Sequence, residues 1–123
     1  MSARVLVVDD VEVNVKLLEA KLAAEYFTVL TAPHGRAALE IAARELPDIV
    51  LLDVMMPQMD GFEVCRRLKA DARTKSVPII ALTAHAMRGD EERARAAGCD
   101  HYLAKPISPK KVVDEVRKIL KME

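Results

Sequence analysis

Tryptophan is absent, and phenylalanine and tyrosine occur only twice each. A core without many large rings has to be aliphatic, and with 51% of the chain hydrophobic valine, leucine, isoleucine and alanine can fill it. No sign of charge dominates. The 19 Lys and Arg residues balance 19 Asp and Glu, and no dense basic run breaks the balance, which argues against a domain built to hold nucleic acid. Cysteine is nearly missing too. Cys65 and Cys99 lie far apart, neither with a Cys or His at metal-ligand spacing, so they read as small buried thiols of a reducing compartment. No N-terminal apolar run is long enough for a signal peptide or a membrane span. The expected location is the cytoplasm, without a membrane partner. Repeats, low-complexity tracts and linkers are also lacking, so 1–123 reads as one domain, large enough for a core without staples.

What the chain does have is four short apolar runs, each ending in a polar residue of a particular kind. Residues 5–8 (VLVV) lead into Asp9 and Asp10, and 49–52 (IVLL) into Asp53. Residues 78–82 (PIIAL) lead into Thr83, and 102–104 (YLA) into Lys105 and Pro106. Runs of this length separated by helical patterns read as strands buried on both faces of a parallel sheet. With Thr28–Ala32 as a further strand, the chain contains five βα units. Right-handed crossovers predict an α/β, doubly wound, flavodoxin-like (βα)5 domain, its parallel five-stranded sheet ordered 2-1-3-4-5. The strands carrying polar ends are then contiguous, and their C-terminal ends share one edge.

The helices are marked by spacing and caps. Val11, Val15, Leu18 and Leu22 form the apolar stripe of the first, which Asp10 is placed to cap. Ala38, Leu39, Ala42 and Leu46 mark the second. Asp60 should open the third, with Glu63 reaching back to it. Arg88 to Ala97 is a weakly apolar fourth helix stopped by Gly98. Ser108 and Pro109 start the fifth, striped by Val112, Val113, Val116, Ile119 and Leu120.

Singly, each polar residue has an ordinary explanation. An Asp after a strand is more often a helix cap, a Thr there can bond its own backbone, and most lysines are surface lysines. Together on one edge they point to chemistry. Three carboxylates within a few ångströms repel, and a hard divalent cation removes that penalty. Asp10 and Asp53 would ligate Mg²⁺ directly, Asp9 directly or through water, and the Met55 backbone carbonyl would add an oxygen. An ammonium (Lys105) and a hydroxyl (Thr83) facing that centre suit phosphoryl transfer, with Asp53 as nucleophile. The methionines Met55, Met56 and Met59 read as loop and core filling, and His34 and His101 as surface residues. His85, two residues after Thr83, should overhang the site.

Asp9-Asp10, Asp53 through Pro57 with Met59-Asp60-Gly61, Thr83-Ala84 and Lys105-Pro106 together resemble the response-regulator receiver domain of two-component signalling, over essentially the whole chain and in order. The resemblance implies Asp53 as phosphoacceptor, with Asp9, Asp10 and the Met55 carbonyl at Mg²⁺. It further implies Thr83 as switch hydroxyl, Lys105 as the phosphate-pairing lysine and Tyr102 as the switch aromatic. Within the family, residues 2–10 and 48–62 resemble the first receiver of a cell-cycle diguanylate cyclase regulator. Residues 86–108 resemble a single-domain cell-division regulator. The implied partners are a sensor histidine kinase or a histidine phosphotransfer protein, and a downstream protein reading the face of helix four, strand five and helix five. With no cyclase or DNA-binding segment after Glu123, output is expected through protein contacts, and turnover of a substrate is not expected. The rival is an aspartate-nucleophile phosphatase of the haloacid-dehalogenase type. Its Asp-x-Asp pattern and cap domain find no counterpart in adjacent aspartates and 123 residues.

Overall fold

Strand and helix alternate along the chain, in a computed structural model that describes residues 3–54, 61–83, 88–104 and 108–121. The strands are β1 (Arg4–Val8), β2 (Thr28–Ala32), β3 (Ile49–Asp53), β4 (Ile79–Thr83) and β5 (His101–Ala104). The helices are α1 (Glu12–Ala24), α2 (Gly35–Glu45), α3 (Gly61–Ala70), α4 (Arg88–Ala97) and α5 (Pro109–Ile119). All pairings are parallel and the sheet order is β2-β1-β3-β4-β5, as the sequence predicts. None of the described helices is long and apolar enough to cross a membrane.

Strand side chains alternate between faces, and the core divides accordingly. Leu6, Val8, Val50, Leu52, Ile79 and Ala81 pack under α2, α3 and α4 with Ala38, Ala42, Val64, Leu68, Ala94 and Ala97. Val5, Val7, Ile49, Leu51, Ile80 and Leu82 pack under α1 and α5 with Leu18, Leu22, Val112, Val113 and Val116. Both faces being covered explains why the strands read as continuous apolar runs. The edge opposite the polar strand ends is tied by charge. Asp48 accepts from the Arg4 backbone N–H at 2.7 Å. Asp100 accepts from the Ile79 N–H and from the Lys69 ammonium, each at 2.8 Å.

Caps mostly follow the sequence, with instructive departures. The Ser108 hydroxyl accepts from the Lys111 N–H, and Pro109 sits in the first turn of α5. Gly98 ends α4 at φ 98°, a left-handed backbone that glycine adopts without strain. Asp10 does not cap α1. The Asp9 carboxylate takes the Val11 N–H instead, at 2.9 Å, leaving Asp10 exposed and Val11 47% exposed rather than in the stripe. Leu46 also leaves its predicted stripe. It ends α2 at φ 48°, which swings its side chain outward. Asp60 lies outside the described residues; Glu63 pairs with Arg66 and Arg67.

Candidate functional site

Two strands deliver the acidic residues to one place. Val8 pairs with Leu52 in the β1–β3 register, and one further step sets Asp9 beside Asp53. Asp10 follows at the turn into α1. One carboxylate oxygen from each of Asp9, Asp10 and Asp53 lies within 4.8 Å of the others. Asp9 and Asp53 are only 2% and 3% exposed. Among the described residues just four polar side chains are buried: Asp9, Asp53, Thr83 and Thr74. Thr74 is accounted for by a hydrogen bond to the Leu68 carbonyl. The other three belong to this edge.

Removing a carboxylate from water costs several kcal/mol unless charge and hydrogen bonds compensate. Asp9 accepts from the Val11 N–H and, more weakly at 3.5 Å, from the Asn14 amide. Those bonds orient Asp9, and a cation among the three carboxylates would set positive charge against all of them. Octahedral Mg²⁺ with bonds of about 2.1 Å holds its oxygens roughly 3–4 Å apart. A 4.8 Å spread is within small side-chain adjustment of that, and the donors are all hard oxygens. The residues fit the ion.

Thr83 is the last residue of β4 and fully buried. Tyr102 sits in β5, half-buried against the α2–α4 side of the core. The register sets Ala81 opposite Tyr102 and Thr83 opposite Ala104. Thr83 and Tyr102 are therefore diagonal neighbours whose alternation assigns them to the same face. Met55, His85, Lys105 and Pro106 lie outside the described residues. So the structure brings Asp9, Asp10 and Asp53 together and places Thr83 and Tyr102 on adjoining strands.

Gly61 and Asn14 are contributors that reading for chemistry passes over. A Cβ on Gly61 would stand 2.3 Å from Val54 Cα and 2.7 Å from the Asp53 carbonyl oxygen. Only glycine lets α3 begin against the end of the strand carrying Asp53. Its place after Asp60 in the receiver motif was the available signal. Asn14 had none beyond sitting one turn into α1. His34 is exposed, as expected, but its Nδ1 also accepts from the Ala37 N–H and caps α2.

Residues 5–117 match the family model described as response regulator receiver domain. Response regulator PleD of Caulobacter vibrioides is 53% identical over 123 residues, covering all of this chain but 27% of PleD. The polar-differentiation response regulator DivK of Brucella ovis is 38% identical over 120 residues, 98% of each chain. Among solved structures, the receiver domain of the sensor histidine kinase PA1611 from Pseudomonas aeruginosa matches with a TM-score of 0.88 at 34% identity, over 96% of this chain and 97% of that one. That structure is described with a magnesium ion coordinated in its active-site cleft.

Proposed function

Because the chain belongs to the response-regulator receiver family, we propose that it accepts a phosphoryl group on Asp53 from a phosphohistidine of a sensor kinase or histidine phosphotransfer protein, in the cytoplasm. The carrying observation is the acidic triad: two carboxylates buried at the C-terminal ends of β1 and β3, with Asp10 beside them, all within 4.8 Å.

In this reading Asp9, Asp10 and Asp53 would hold Mg²⁺, with the Met55 backbone carbonyl as a further oxygen donor. The ion when bound supplies positive charge against the carboxylates and the phosphoryl oxygens. An Asp53 oxygen attacks phosphorus of a phosphohistidine protonated on its other ring nitrogen; the P–N bond breaks, its electron pair stays on the ring, which departs as neutral imidazole, and an acyl phosphate remains. Asp9, fixed by the Val11 N–H, keeps the acidic pocket in shape through the transfer. Thr83 donates its hydroxyl to a phosphoryl oxygen, and Lys105 balances the added charge. His85, two residues after Thr83 in the sequence, is the residue assigned here to tune how long the acyl phosphate survives. The protein takes part in its own phosphorylation and is not a turnover enzyme. It signals through protein contacts on the face of α4, β5 and α5.

The test is phosphotransfer from a labelled phosphohistidine protein with Mg²⁺ present. Label should move to this chain in at most one equivalent and be lost from Asp53→Asn. Repeated turnover of a phosphate ester would instead favour the phosphatase reading.

A further inference from the structure

The two cysteines, distant in sequence, meet in space. Cys65 is in α3 and Cys99 follows α4 at the approach to β5. Their sulfurs are 3.0 Å apart, with the Cys99 thiol donating to Cys65. Both are reduced and buried. A disulfide bond is about 2.05 Å long, so about one ångström of approach closes it. We propose that Cys65 and Cys99 are a redox-sensitive modification site, closed to an intramolecular disulfide by hydrogen peroxide or another small hydroperoxide.

Three observations support this. The shared hydrogen bond from Cys99 moves the Cys65 thiol down, and the nearby Lys69 charge adds to it against the cost of burial. Cys99 moves up, through that same hydrogen bond and through burial. The first proton of the pair is thus held less tightly than an ordinary thiol's and the second more tightly. Access exists as well. A cavity of about 190 Å³ is lined by Cys99 with Glu91, Ala94, Arg95, Asp100, His101 and Tyr102, so a peroxide reaches the pair from the Cys99 side, while Cys65 is fully buried behind it.

The chemistry balances. Cys99, its proton passed to the Cys65 thiolate across their hydrogen bond, attacks a peroxide oxygen from the cavity side; the S–O bond forms, the O–O bond breaks and hydroxide leaves. The second sulfur attacks the sulfenic sulfur; the S–S bond forms, the S–O bond breaks and a second hydroxide leaves. The two thiol protons turn both hydroxides into water. Two electrons pass from the sulfurs to the peroxide.

The link would span 34 residues and enclose β4 and α4, clamping α3 to the approach of β5, three residues before Tyr102. That the clamped face matters for signalling rests on the proposed function; the readouts below need no phosphoryl transfer.

The reduced chain is titrated with peroxide, denatured, alkylated and weighed. Both thiols should disappear in parallel, with the Cys65 and Cys99 peptides joined within one chain and released by dithiothreitol. The urea midpoint should rise on oxidation, and amide exchange across α4 and β5 should slow severalfold. Cys65→Ser and Cys99→Ser should show none of these changes. Two alkylatable thiols after a dose that consumes free glutathione would overturn the proposal, as would separate sulfinic acids or links only between chains. A disulfide that leaves exchange across α4 and β5 unchanged would overturn the clamp.

Discussion

Asp10 adds a third negative charge at the acidic edge without a cap to offset it. It is exposed, it does not cap α1, and it stands beside two buried carboxylates. Unit charges about 5 Å apart repel by roughly 1–3 kcal/mol at the effective dielectric of a protein surface. Asp10→Ala should therefore raise the urea unfolding free energy by about 1 kcal/mol without Mg²⁺ and weaken Mg²⁺ binding at least tenfold; equal or lower stability in chelator would contradict this. Asp71 shows the opposite balance. The Arg73 guanidinium and backbone N–H hold its carboxyl down to about 2, from 3.8. A lowered folded value means that the stabilisation is complete above 3.8 and lost as pH falls through about 2. A carboxyl NMR titration should find that low midpoint and see it return toward 3.8 in Arg73→Ala; an unchanged midpoint in the variant would remove Arg73 as the cause. Residue chemistry was legible where its type was unusual for its place, as with acidic residues ending apolar strands. That Asp9 rather than Asp10 would hold the Val11 N–H, leaving α1 without a side-chain cap, was not legible, because adjacent identical side chains differ only in which backbone N–H each can reach.

Elements differ in how firmly they are held. α5 buries Val112, Val113 and Val116, whereas the described part of α4 buries Ala94 and Ala97. At about 0.8 kcal/mol per buried methylene, an alanine stripe anchors its helix much less than a valine stripe does. An Arg93 guanidinium 4.5 Å from the Phe62 ring centroid adds a tie from α4 to α3, a contact of about 1 kcal/mol when partly exposed. On its described residues α4 is therefore held less firmly by apolar burial than α5, and Tyr102 adjoins it. A beryllofluoride phosphoryl mimic with Mg²⁺ should shift the resonances of α4 and Tyr102 as well as those near Asp53; changes confined to the loops around Asp53 would reject this face as the output. α3 is held by backbone contact instead. Gly61→Ala drives a methyl into Val54 and the Asp53 carbonyl and should cost about 3 kcal/mol in urea unfolding, with a cost below about 1 kcal/mol showing that the contact relaxes. Strand and helix positions were legible because runs and stripes persist over several residues. The ends of stripes were not: Val11 and Leu46 fit the period but fall where the helix starts or stops, and there the backbone turns them outward.

At the scale of the molecule, topology turns separate residues into a site. Sheet order β2-β1-β3-β4-β5 sets the ends of β1, β3, β4 and β5 side by side, so Asp9, Asp53, Thr83 and the approach to Lys105 share one edge. That much was legible, because parallel strands with right-handed crossovers allow few arrangements. The Cys65–Cys99 contact was not, since nothing local signals that α3 and the turn after α4 pack together. The same topology divides the core in two, so that helices pack on both faces of the sheet that carries the acidic edge. The most direct test is to incubate the chain with Mg²⁺ and a small phosphodonor such as acetyl phosphate, then locate the added phosphoryl group by peptide mass. The expected result is one phosphoryl group per chain, on Asp53, absent in excess chelator and absent from Asp53→Asn. Equal labelling in chelator, or undiminished labelling of Asp53→Asn at another residue, would contradict it.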